Sequence, residues 1–153
     1  MKYIRLVIAI LFLLVSQTHY AKDKTMSDVK IVKGEFSVAL DPQTDESFPV
    51  GRMTLDKMFS GALSGPSKGQ MLSHRTATEG SAGYVALEVF EGELEGKSGG
   101  FVLIHKGTMN KGAQSLVIDI VPDSGTKALS GIAGKMTIEI KDGQHYYELH
   151  YTL

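Results

Sequence analysis

Glu88 and His105 are residue types that exchange protons, and they lie on two apolar segments, AGYVALEVFEGEL and GGFVLIHKGTM, joined across a Gly/Lys/Ser turn. A carboxylate and an imidazole within reach of each other can serve as base and acid, and Tyr84 could orient a bound molecule beside them. Lys57 adds a cation, as the odd polar member of a face that carries Met53, Leu55, Phe59 and Leu63. With the turn taken as Glu95 to Gly100, Phe90 opposes His105. One face of the pair then carries Tyr84, Ala86, Glu88, Phe90, Leu94, Phe101, Leu103 and His105. The other carries Val85, Leu87, Val89, Glu91, Val102, Ile104 and Lys106. If the first face is inside, Glu88, His105 and Lys57 must pair or meet a polar ligand, because unpaired buried charge is costly. If the second is inside, the core is plain aliphatic, and pattern alone slightly favours that arrangement. Both faces are apolar near the strand centres, so a second layer or a partner subunit is expected to cover the outside, and a homo-oligomer is the expected form.

Two other motifs do not survive their context. Gly96-Lys97-Ser98-Gly99-Gly100 has the G-x-S-x-G form of a hydrolase elbow, but that chemistry needs a strand-to-helix turn. Gly92 with Gly96-Lys97-Ser98 approaches a phosphate-binding loop, one residue short and leading into a strand, so it lacks a helix N-terminus. His74, His105, His145 and His150 form no H-x-H or H-x-x-x-H pair, and no metal site or cofactor is expected. His145 and His150 are five apart in one strand and point to opposite sides.

These side chains must be positioned by strands. Phe36, Val38 and Leu40 alternate with polar residues over Ile31 to Leu40, and Asp41 to Val50 reads as a loop with two prolines. Gly51 to Leu63 is a second strand, and Ser67 to Ser73 a shorter one after a Ser64-Gly65-Pro66 turn. A strand near Ser115 to Val121 follows the central pair, and Thr126 to Gly134 has room for one helical turn. The C-terminus is a hairpin across Asp142-Gly143, the favoured type I′ pair. The spacing predicts an all-β fold, an antiparallel closed or nearly closed barrel of seven or eight strands spanning residues 31–153.

The N-terminus differs in kind. Lys2 and Arg5 precede an unbroken apolar run from Leu6 to Val15, then a polar stretch to Ala21. That is the order of a secretory signal peptide over residues 1–21, and 22–30 then form a flexible arm. A retained membrane anchor is the alternative, although the run falls short of the ~20 residues of a span. Cleavage at Ala21 would leave 14 basic and 17 acidic residues, a net charge of −3. Mild acidity without a basic stripe argues against nucleic acid as partner. With no cysteine, stability in a periplasmic or secreted setting must come from the core alone.

Taken together, RMTLDKMFSGALSG, GQML, EGSAGYVALE, GKSGGFVLIHKGTM, VPDSGT and GKMTIEI resemble the bacterial domain-of-unknown-function family 3224 from about Gly34 to Leu153. The resemblance implies a barrel similar to allene oxide cyclase, with no established activity. It also implies that the first face is inside, with Lys57, Tyr84, Glu88, Phe90, Phe101 and His105 lining a ligand space. The chain departs from the family pattern in its leader and at Lys127-Ala128, which puts any shared cytoplasmic role in doubt. Three functions follow: binding of a small apolar or amphipathic ligand inside the barrel, isomerase or cyclase chemistry by Glu88 and His105, or an envelope interaction module with a packed core. A void of about 300 Å³ or more, opening near Pro122 to Thr126, would favour the first.

Overall fold

Glycine-containing turns set the hairpins. The computed structural model describes residues 28–44 and 47–153. The signal-peptide expectation for residues 1–21 lies outside that range. Three connections are two-residue turns with both residues at positive φ: Glu95-Gly96 (48° and 78°), Lys111-Gly112 (49° and 90°) and Asp142-Gly143 (51° and 80°). Such turns match the right-handed twist of the strands they join. They link β4 (Ala82–Leu94) to β5 (Lys97–Asn110), β5 to β6 (Ala113–Ile120), and β7 (Ala133–Lys141) to β8 (Gln144–Thr152). Ahead of them run β1 (Lys30–Gln43), β2 (Gly51–Gly61) and β3 (Leu63–Arg75). Each strand pairs antiparallel with its neighbours, and β1 pairs with β8, so eight strands close into a barrel.

Several local expectations are corrected. Phe90 stands opposite Phe101, not His105, because the turn tightens to Glu95-Gly96. The shift is four residues, an even number, so every side chain keeps its face. Ser64-Gly65-Pro66 lies inside β3; the chain reverses earlier, at Gly61, whose φ is +104°. Pairing with β4 lapses at Gly65 and Pro66, where proline has no N–H to donate. β3 is therefore 13 residues long rather than a short strand. Lys30 belongs to β1, opposite Tyr151, and not to an arm, and β1 runs on to Gln43, into the expected loop.

The two ends of the barrel differ. One is plugged: a 3-10 turn at Lys127–Leu129 seats Leu129 and Ile132 in the core. The segment before it is bound to β5 by Thr126 Oγ1 and Ser124 Oγ, which accept from Gly100 N (2.9 Å) and Val102 N (3.0 Å). Above the plug, Phe36, Phe59, Phe90, Phe101 and Tyr147 pack ring on ring at 5.1–5.9 Å between centroids. At the other end, inward-facing Leu40 and Ile140 are exposed. There β6 and β7 separate: they pair only at Ile118–Met136 and Asp119–Lys135, both toward the plugged end. The β6 residues Ala113–Val117 and the β7 residues Thr137–Lys141 therefore have no partner across that seam.

Candidate functional site

Four strands each send one polar side chain inward near the middle of the barrel. β2 supplies Lys57, β3 Ser67, β4 Glu88 and β5 His105, and these are the buried polar residues of the core. Register brings them together. Lys57 faces Ser67 directly, Glu88 lies between Gly69 and Leu103, and His105 faces Ala86 one diagonal step from Glu88. Gly69, opposite Glu88, has no room for a side chain: a Cβ there would fall 2.2 Å from Leu87 O and 2.8 Å from Leu55 Cδ1.

Glu88 is the hub. Its Oε2 accepts a hydrogen bond from Lys57 Nζ at 2.6 Å and its Oε1 accepts one from Ser67 Oγ at 2.5 Å. His105 Nε2 lies 3.0 Å from Glu88 Oε2. That approach is short but lacks the alignment of a hydrogen bond, so Nε2 is a buried polar atom without a hydrogen-bond partner, the only such side-chain atom among the described residues. We read the contact as electrostatic on that geometry. Burial alone would push the Glu88 carboxyl up; the His105 contact, the Lys57 charge and the hydrogen bonds from Lys57 and Ser67 outweigh it and hold the group at about 2. The Lys57 ammonium also sits 4.8 Å from the Phe36 ring centroid, a favourable placement for a desolvated cation.

Glu88 has no side-chain exposure, whereas Lys57 and His105 retain 7% and 6%. The open end of the barrel holds a cavity of about 330 Å³, lined by Met53, Met71, Tyr84, Met109 and Leu116 among others. Tyr84 lies against Gly107, where a Cβ would fall 2.0 Å from its ring. Burial raises the Tyr84 hydroxyl above its ordinary range. The 430 Å³ groove between Lys33, Glu35, Thr137 and Glu148 is larger, but it lies on the outer surface away from these groups.

Of the residues named from the sequence, Lys57, Glu88 and His105 come together, and Tyr84 lines the mouth above them. Phe90 and Phe101 do not: at 0% and 1% exposure they are core rings beneath the ion pair, 5.1 Å apart. The opening is not near Pro122 to Thr126 either, because that segment forms the plug. Ser98 follows the Glu95-Gly96 turn at the start of β5, in an exposed position that offers no elbow. His145 packs on Phe36 inside, while His150 contacts Glu148 outside. Ser67 and the methionines of the mouth were not expected. Reading Ser64-Gly65-Pro66 as a turn hid Ser67, and locating the reversal at Gly61 would have set it opposite Lys57. Among the described residues no three His, Asp or Glu side chains converge to hold a metal ion.

A closed eight-stranded antiparallel barrel, plugged at one end and carrying an ion-paired floor beneath an apolar mouth, defines the class of protein. The chain belongs to the family described as protein of unknown function (DUF3224), whose match spans residues 32–151. A crystal structure of a DUF3224 protein of unknown function from Shewanella oneidensis MR-1 is similar, with 44% sequence identity and a TM-score of 0.77 over 82% of this chain and 98% of that one. No curated protein matches the chain.

Proposed function

We propose that this protein binds a small amphipathic molecule in the open end of its barrel, after export under the direction of residues 1–21. The apolar body would lie against Met53, Met71, Tyr84 and Met109, and its polar end would meet Arg75 and Gln114. One observation carries this reading: a cavity of about 330 Å³ at the open end of the barrel, walled by Met53, Met71, Tyr84 and Met109 and carrying Arg75 and Gln114 as polar groups. Pockets of this size that combine apolar walls with placed polar groups suit small amphipathic ligands. The unpaired β6–β7 seam gives the mouth a side that can part for a bulky apolar body.

Isomerase or cyclase chemistry through Glu88 is less well supported. A carboxylate held at about 2, with both oxygens engaged, is a poor proton acceptor near neutral pH. The test is native mass spectrometry of the protein purified from its own host, together with a Met71→Trp variant that fills the mouth. A retained small molecule on the wild type, absent from Met71→Trp, is the expected result. Equal retention by both, or none on the wild type, would overturn the reading.

A further inference from the structure

On its outer surface the barrel is uneven. The outward side chains of β3 to β6 include Leu72, Val85, Leu87, Val89, Ile104 and Val117, each between 44% and 54% exposed. They are cross-strand neighbours: Leu72 faces Val85, Leu87 faces Ile104, and Lys106 bridges Val85 to Val117. These side chains expose on the order of 500 Å², near the top of the range for the largest apolar patch on a monomer. The patch continues into a 480 Å³ groove that includes Val50, Leu72 and Val85. Elsewhere charged residues separate single exposed apolar ones such as Ile31 and Met58, among them Lys33 and Glu35 on β1, Lys135 and Glu139 on β7, and Glu148 on β8. The apolar strip therefore does not encircle the barrel, as a lipid-facing band would have to.

We propose that the outer face of β3–β6 is the interface of a two-fold homodimer, with a second copy of this chain as its occupant. Two arguments select a second copy. The rim mixes signs, Lys68 and Lys106 with Glu91, Glu93 and Asp119, so a two-fold related copy can set its lysines against the other's carboxylates. The apolar centre plus this rim approaches the ~800 Å² per partner of a stable interface, and self-pairing would bury the whole strip in one contact. The proposal does not depend on the mouth or on any ligand.

The chain has no cysteine, which makes the test direct. Sedimentation equilibrium of the purified protein at micromolar concentration should give twice the chain mass. Leu87→Lys with Ile104→Lys, both at exposed positions, should raise the dissociation constant at least 100-fold while circular dichroism and thermal melting stay those of a folded barrel. Ile31→Lys, on the outer face of β1, should leave the dimer intact. A single Leu87→Cys should cross-link to a dimer with a short bismaleimide. A monomeric wild type, a dimer indifferent to the paired lysines, a higher oligomer, or no cross-link from Leu87→Cys would each overturn the proposal.

Discussion

The Lys57 ammonium lies 2.6 Å from Glu88 Oε2, and together the two side chains are almost wholly removed from water. In that setting each charge depends on the other, because desolvation is several kcal/mol per ion and only pairing offsets it. Glu88→Gln leaves Lys57 buried without its counter-ion, and we expect a loss of about 3–5 kcal/mol in urea unfolding. Replacing both, as Lys57→Met with Glu88→Leu, removes the charges with little change of volume and should restore most of the loss. A neutral Glu88→Gln would mean that water reaches the floor and that the pair is not a buried one.

The same pair makes stability depend on acid. The folded carboxyl is depressed to about 2 from an ordinary 4.5, so its contribution is fully present above about pH 4.5 and is lost as pH falls through 2. The difference is worth roughly 3 kcal/mol. Unfolding free energies of the wild type should fall between pH 4.5 and 2, and Glu88→Gln should lose that part of the slope. Glu95 and Glu148 are also lowered, by the Tyr151 and Lys33 hydrogen bonds respectively, but both are exposed and should leave a shallow residual slope in the variant. Carboxyl carbon shifts by NMR would check the assignment: a Glu88 midpoint near 4.5 would refute it.

Much of this floor was legible in the sequence. Alternation with period two fixed which residues share a face, and an even register error could not change that, so Glu88 and His105 stayed together although their opposite partners were misassigned. What could not be read is depth along the barrel axis. Phe90 and Tyr84 lie on one face of β4, yet Phe90 is sealed in the core and Tyr84 lines the mouth. The difference comes from the plug at Leu129 and Ile132, which sits far from β4 in sequence. The β6–β7 seam was equally hidden, because it arises from how the barrel closes and neither strand's own pattern records it. Gly34 and Gly61 illustrate the same limit. Gly34 leaves room for the Tyr147 ring and hydroxyl, and Gly61 for the close approach of the β1 backbone at Lys33 and Gly34, contacts set only once the barrel closes.

The plug itself should be energetically important. Leu129 is fully buried in the main core although it belongs to a 3-10 turn of three residues. Leu129→Ala should cost about 2–5 kcal/mol, as for other large-to-small core changes. Thr126→Val tests the attachment separately, by removing the hydroxyl that accepts from Gly100 N. We expect a loss of about 1 kcal/mol and faster amide exchange at Gly100. Unchanged exchange there would show that the Thr126 hydroxyl does not protect the Gly100 amide.

Tyr84 and Gly107 supply a test of the mouth that leaves the ion pair untouched. The Tyr84 ring occupies the space over Gly107, so Gly107→Ala would set a methyl 2.0 Å from the nearest ring atom and must move the ring. Overpacking of this kind costs about 1–3 kcal/mol, and pairing it with Tyr84→Ala should recover part of that because the clash is gone. Ligand retention should separate the two effects. Gly107→Ala alone forces the ring out of its place and should weaken retention, whereas the double variant opens the mouth and should admit larger apolar molecules than the wild type does. Native mass spectra that show the same retained species in wild type, single and double variants would mean that Tyr84 does not line the occupied space.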